Sequence, residues 1–136
     1  MLALKSMVYF CKQYGGKASS LCRAQASKSA SSSYPWAVVA NNITLMLAEV
    51  LELRDNRFVS SRRGYWGAFD RRGAYFEIFC LAFIQLDETW TSRRATRDQF
   101  GKIIGYTKGC IQDVLETDPP NLQAFMAQAA EMGMMV

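Results

Sequence analysis

Asp87 is the residue whose position most demands a chemical reason. It stands in the run Tyr75-Phe76-Glu77-Ile78-Phe79-Cys80-Leu81-Ala82-Phe83-Ile84-Gln85-Leu86-Asp87-Glu88-Thr89-Trp90. At helical spacing it falls near the centre of the face made by Phe76, Phe79, Cys80, Phe83, Leu86 and Trp90. A carboxylate in an apolar face is heavily penalised unless it is hydrogen-bonded. Asn42 offers the best partner, because it too interrupts an apolar stripe, that of Trp36, Val39, Ile43, Met46, Leu47 and Val50. Asn42 and Asp87 therefore read as a polar tie that sets the register of two facing helices. The sharper alternative is an ionisable group kept for binding or catalysis.

Much other chemistry is excluded. The chain has no histidine, so it carries neither a Ser-His-Asp or Cys-His nucleophile nor an imidazole base. Cys11, Cys22, Cys80 and Cys110 stand far apart, without a C-x-x-C pair or a histidine to complete a zinc site. Cys80 and Cys110 fall on apolar helical positions and read as buried thiols, and no disulfide framework is expected. No phosphate-cradling glycine motif occurs. The expectation is no metal and no cofactor. Asn42-Ile43-Thr44 matches a glycosylation pattern but lies inside a helix, and we read it as incidental.

The arginines are clustered. Arg62-Arg63-Gly64 and Arg71-Arg72-Gly73 bracket Tyr65-Trp66-Gly67-Ala68-Phe69, and Arg93, Arg94 and Arg97 follow the second helix. Arg62, Arg63, Tyr65, Trp66, Arg71 and Arg72 form the candidate partner surface. Such a surface suits an acidic protein or phosphate groups. A net charge of +4 spread over scattered basic residues disfavours nucleic acid. Peripheral contact with an anionic membrane is a weaker reading of the same arginines. A guanidinium can also act in trans on a GTPase, but no single arginine stands out for that role. From Asp113 onward the charged residues are all acidic: Asp113, Glu116, Asp118 and Glu131.

At 136 residues the chain reads as one domain, over residues 1–132. No apolar run is long enough to span a bilayer and the first residues are no convincing export signal, so the expected location is cytoplasmic. Leu4, Met7, Val8, Cys11 and Tyr14 predict a helix over 1–14, stopped by Gly15-Gly16. Residues 17–33, rich in Ser and Ala, predict a flexible, solvated linker with at most a helical turn around Leu21 and Cys22. Tyr34-Pro35 opens the helix that carries Asn42, because proline suits a first turn. The Asp87 helix is predicted over 74–91, after a loop over 55–72. Thr96-Arg97-Asp98-Gln99 is a capping box that starts the stripe Phe100, Ile103, Ile104, Thr107, Ile111, Val114 and Leu115. Asp118-Pro119-Pro120 closes that helix and caps a last one, with Leu122, Phe125, Met126 and Ala129 inward. No segment alternates at period two, so the fold class is all-α, a bundle of about five helices.

In this order the residues resemble the ELMO domain family. Tyr34-Pro35-Trp36-Ala37-Val38-Val39 with Asn42-Ile43-Thr44 is similar to one characteristic stretch of the family. Phe79 through Leu86-Asp87-Glu88-Thr89-Trp90 is similar to another, with Leu86 where the family often has phenylalanine. The helix from Phe100 resembles the family's next segment, and Leu2 to Phe10 resembles the helix after its most diagnostic motif. The likeness covers most of residues 1–120 and implies a helical regulator of small GTPases. One branch accelerates GTP hydrolysis by Arf-type GTPases. Another belongs to adaptors that act with a DOCK-type exchange factor to activate Rac, in cytoskeletal remodelling and phagocytosis. The arginine motif of the activating branch does not occur in this sequence. The chain thus reads as the later portion of such a domain, and no position inherits the arginine's role, so the resemblance implies no catalytic residue here.

Overall fold

The computed structural model describes residues 2–50 and 73–134. Six α-helices are found among them, and no strand: α1 Leu2–Gln13, α2 Gly15–Ala26, α3 Trp36–Val50, α4 Ala74–Ser92, α5 Phe100–Glu116 and α6 Leu122–Glu131. The all-α expectation holds. Residues 55–72, read as a loop, lie outside the described residues.

The central element is α4. Ile78, Phe79, Cys80, Leu81, Ala82, Phe83, Ile84 and Leu86 are all buried, which places apolar side chains around its whole circumference. A helix that is hydrophobic on every side must be enclosed, and α1, α3 and α5 pack around it. The inner stripes of α3 and α5 are those the spacing predicts. Val39, Ile43, Met46, Leu47 and Val50 are buried on α3, and Ile103, Thr107, Ile111, Val114 and Leu115 on α5. Thr107 is tolerated there because its hydroxyl donates to the Ile103 carbonyl at 3.0 Å.

Aromatic rings join the layers. Phe10 of α1 meets Trp36 of α3 edge-on at 5.8 Å between centroids, and Trp36 meets Phe83 of α4 at 4.9 Å. Tyr34, just ahead of α3, packs edge-on against Trp90 at 5.4 Å. Edge-to-face contacts of this kind add to the area they bury.

Helix ends follow local chemistry. The Pro35 carbonyl accepts from the Val39 N–H at 3.1 Å, so proline begins α3 without losing a bond. The capping box at Thr96–Gln99 forms, with the Thr96 N–H donating to Gln99 Oε1 at 3.1 Å, and it opens a short 3-10 turn ahead of α5. Asp118 takes a left-handed φ of 52° and ends the α5 run before the prolines. The next helix is capped by Asn121 rather than the predicted Asp118, through Oδ1 to the Ala124 N–H at 2.7 Å.

Two expectations fail. Gly15-Gly16 does not stop the chain. The helix breaks one residue earlier, at Tyr14, and resumes as α2 at Gly15. Most of the predicted 17–33 linker is therefore helical. Ala18, Leu21 and Gln25 recur at spacings of three and four and are buried, a stripe too short and too small-sided to stand out from the serines. The serines that follow are also held. The Trp90 indole N–H donates to the Ser32 carbonyl at 2.8 Å, the Arg97 Nε–H to Ser33 at 3.1 Å, and the Arg97 backbone N–H to Ser31 at 3.0 Å. Carbonyls fixed by three donors do not behave as a solvated linker.

The face of α1 is the other correction. Leu4 and Val8 are 58% and 45% exposed, Cys11 is exposed, and the buried residues are Ser6 and Phe10. Polar bonds choose this face. Ser6 Oγ donates to the Leu2 carbonyl at 2.8 Å, and the Tyr9 and Tyr14 hydroxyls both donate to Glu77 of α4.

If α2 is a packed element, Leu21→Ala should destabilise the protein by about 2–5 kcal/mol in urea unfolding. A loss under about 0.5 kcal/mol, the range of surface positions, would return this segment to linker status.

Candidate functional site

Two carboxylates of α4 organise the interior. At a rise of about 1.5 Å per residue, Glu77 and Asp87 lie roughly 15 Å apart along the helix. Asp87 is buried. It is not met by Asn42, whose Nδ2 donates to the Val38 carbonyl of its own helix at 2.8 Å. The structure does not bring the two together. An asparagine can satisfy itself on the preceding turn, as Thr44 does on Ala40 at 2.8 Å, so neither needs a facing helix.

The donors to Asp87 come from the segment between α2 and α3. Tyr34 Oη donates to Asp87 Oδ1 at 2.5 Å. Gln25 Nε2, at the end of α2, approaches the same oxygen at a marginal 3.5 Å. The Gln25 side-chain oxygen turns back to accept from the Tyr34 backbone N–H at 3.1 Å. Gln25, Tyr34 and Asp87 thus form one connected polar node, and α2, the chain ahead of α3, and α4 meet in it. Burial and then the negative Asp87 push the Tyr34 hydroxyl far above the ordinary tyrosine range. It stays a proton donor, which suits a permanent tie and not a group that must release its proton.

The second node is Glu77. Its two oxygens accept from Tyr9 and Tyr14 of α1. Burial, with the Glu77 hydrogen bond and charge behind it, raises Tyr9 from 10.0 to about 12 and pushes Tyr14 well up. The buried Cys80 thiol is also raised, first by burial and then by Glu77, so it stays protonated and unreactive. Cys110, expected to be buried like Cys80, is only half-buried.

Beside Asp87 an open cavity of about 630 Å³ is lined by Gln85, Glu88, Ser92, Arg93 and Tyr106 among others. The Arg93 guanidinium lies 4.6 Å from the Tyr106 ring centroid, a cation–π geometry. Arg93 and Arg97 are thus both engaged with neighbouring groups. The predicted partner surface of Arg62, Arg63, Tyr65, Trp66, Arg71 and Arg72 lies outside the described residues. Among the described residues no group of His, Cys, Asp and Glu is placed to hold a metal ion.

Sequence reasoning found Asp87 and missed Tyr34, Gln25 and the Glu77 cluster. A signal existed: Tyr34 is fixed by Pro35 beside it, and Glu77 is the only other acid on the α4 run before Asp87.

The profile of the ELMO/CED-12 family matches residues 1–104. The chain is similar to engulfment and cell motility protein 1 of Homo sapiens, at 26% identity over 128 residues, 94% of this chain and 18% of that protein. It is similar to engulfment and cell motility protein 3 of Rattus norvegicus, at 25% over 125 residues, 92% and 17% respectively. It is similar also to engulfment and cell motility protein 2 of Bos taurus, at 26% over 130 residues, 94% and 18%. The chain spans less than a fifth of the length of these relatives.

Two outcomes separate the observed tie from the predicted one. Tyr34→Phe should cost about 1.5–3 kcal/mol, the range for a hydrogen bond to a charged group. Asn42→Ala should stay within about 0.5 kcal/mol, as at a surface site. The reverse ranking in urea unfolding would restore Asn42 as the partner.

The raised tyrosines set an alkaline limit. Each holds its proton more tightly folded than unfolded, so its stabilisation is complete below the ordinary value of 10.0 and is lost as pH climbs through the folded value, about 12 for Tyr9. Urea midpoints should fall across that window, and less steeply in Tyr9→Phe and Tyr14→Phe. An unchanged slope in both variants would remove the Glu77 node from the account.

Proposed function

The chain belongs to the ELMO/CED-12 family, and on that premise we propose that it is a non-enzymatic interaction module in small-GTPase regulation. The observation that carries this reading is the 2.5 Å bond from Tyr34 to Asp87. It occupies the carboxylate that the sequence marks as the candidate for chemistry, with a donor that keeps its proton. The Glu77 oxygens are occupied in the same way by Tyr9 and Tyr14. Such groups hold helices in register and leave recognition to the surface.

Within that reading the partner is a DOCK-type exchange factor acting on Rac, as in the adaptor branch of the family. The similarity to proteins named for engulfment and cell motility favours this branch. The process served is then cytoskeletal remodelling during engulfment, and the location is cytoplasmic. The Arf-type GTPase-activating branch is the second reading. Under it the chain supplies the helical scaffold, and of the described arginines Arg93 lies on Tyr106 and Arg97 is bound to Ser33.

The purified chain should leave GTP hydrolysis by Arf-type and Rac-type GTPases at the intrinsic rate, while capturing a DOCK-type factor in a pull-down. Acceleration on the order of 10³-fold, the range for an arginine supplied in trans, would overturn the non-enzymatic reading. Failure to capture the factor would overturn the adaptor assignment.

A further inference from the structure

The rotation of α1 that joins Tyr9 and Tyr14 to Glu77 leaves an apolar stripe facing outward. Leu4, Val8 and Cys11 follow one another at spacings of four and three, with Leu4 58% and Val8 45% exposed. At 100° per residue Lys5 and Lys12 fall together along one edge of this stripe. The other end of the stripe opens into a groove of about 340 Å³, where Cys11 of α1 faces Cys22 and Arg23 of α2.

The charge carried by α1 and α2 is one-sided. Ahead of Glu49 the sequence carries Lys5, Lys12, Lys17, Arg23 and Lys28, and no Asp or Glu. Of these, Lys5, Lys12, Lys17 and Arg23 are exposed and Lys28 is half-buried. Glu77, which packs against α1, has both oxygens taken by Tyr9 and Tyr14.

We propose that the exposed Leu4–Val8–Cys11 stripe of α1, with its lysine edge and the Arg23 wall of α2, is a docking face for an anionic lipid surface. The shape supports a membrane over a peptide. Leu4 and Val8 stand out from the exposed side of a single helix, and the groove described at the far end of the stripe is lined by Cys11 and not by either of them. Apolar side chains that stand out from a helix enter the headgroup boundary, while flanking lysines keep their charge among lipid phosphates. Each cation near an anionic leaflet strengthens binding about fivefold. The proposal does not depend on the proposed partner of the module.

The test is co-sedimentation of the chain with phosphatidylcholine vesicles that contain phosphatidylserine, against phosphatidylcholine alone. Binding should require phosphatidylserine and weaken with added salt, because screening shortens the reach of surface charges. Lys5→Glu with Lys12→Glu should reduce partition by roughly 30-fold or more. Leu4→Ser should reduce it about tenfold, through lost apolar burial. Lys102→Glu, on the exposed side of α5, should change nothing, and unaltered thermal melting of each variant separates lost docking from lost fold. Equal binding to phosphatidylcholine alone, or undiminished binding of the double lysine variant, would overturn the proposal. So would capture of a polyglutamate peptide without vesicle binding, which would make the partner an acidic protein.

Discussion

A carboxylate enclosed by apolar side chains has to be supplied with hydrogen-bond donors, and the position of Asp87 forces the rest of the chain to bring them. Asp87 lies on α4, the helix that the others surround. Its donor, Tyr34, comes from the segment that joins α2 to α3. The bond between them therefore fixes where α3 starts. It also fixes the end of α2, because Gln25 bonds to both Tyr34 and Asp87. Trp90 and Arg97 then hold the serines just ahead of Tyr34. A polar residue that costs stability when isolated becomes, with its partners, the joint between three helices.

Glu77 does the same for α1. Its two tyrosine donors select which side of that helix turns inward, against the choice that apolar residues alone would make. Ser6 faces the core because its hydroxyl is satisfied within the helix, and Leu4 and Val8 face outward. The apolar exposure on α1 is thus a consequence of a polar bond, and it leaves a basic, apolar outer face on the first two helices. The acids Asp113, Glu116, Asp118 and Glu131 lie at the other end of the chain.

How much of this the sequence disclosed depended on side-chain size and periodicity. The stripes of α3, α5 and α6 were legible because large apolar residues recur at spacings of three and four. The burial of Asp87 was legible because the large side chains on either side of it carry it inward with the stripe. The helix α2 was not, since Ala18, Leu21 and Gln25 are a weak stripe among serines whose composition favours a linker. The partner of Asp87 was not, because Asn42 and Tyr34 both precede it at long range, and only the fold shows that Asn42 is satisfied by its own helix. Membership of the ELMO/CED-12 family was legible from the order of motifs, and it agrees with the profile match over residues 1–104.

The central claim is that Asp87 and Tyr34 act as a pair. A double-mutant cycle measures that directly, with Tyr34→Phe, Asp87→Ala and the double variant compared by urea unfolding, so that the cavity left at Asp87 cancels. A coupling energy of about 1.5–3 kcal/mol is the predicted result, the range for a hydrogen bond to a charged group. Additivity to within about 0.5 kcal/mol would contradict the account, because it would mean that the two groups stabilise the bundle independently.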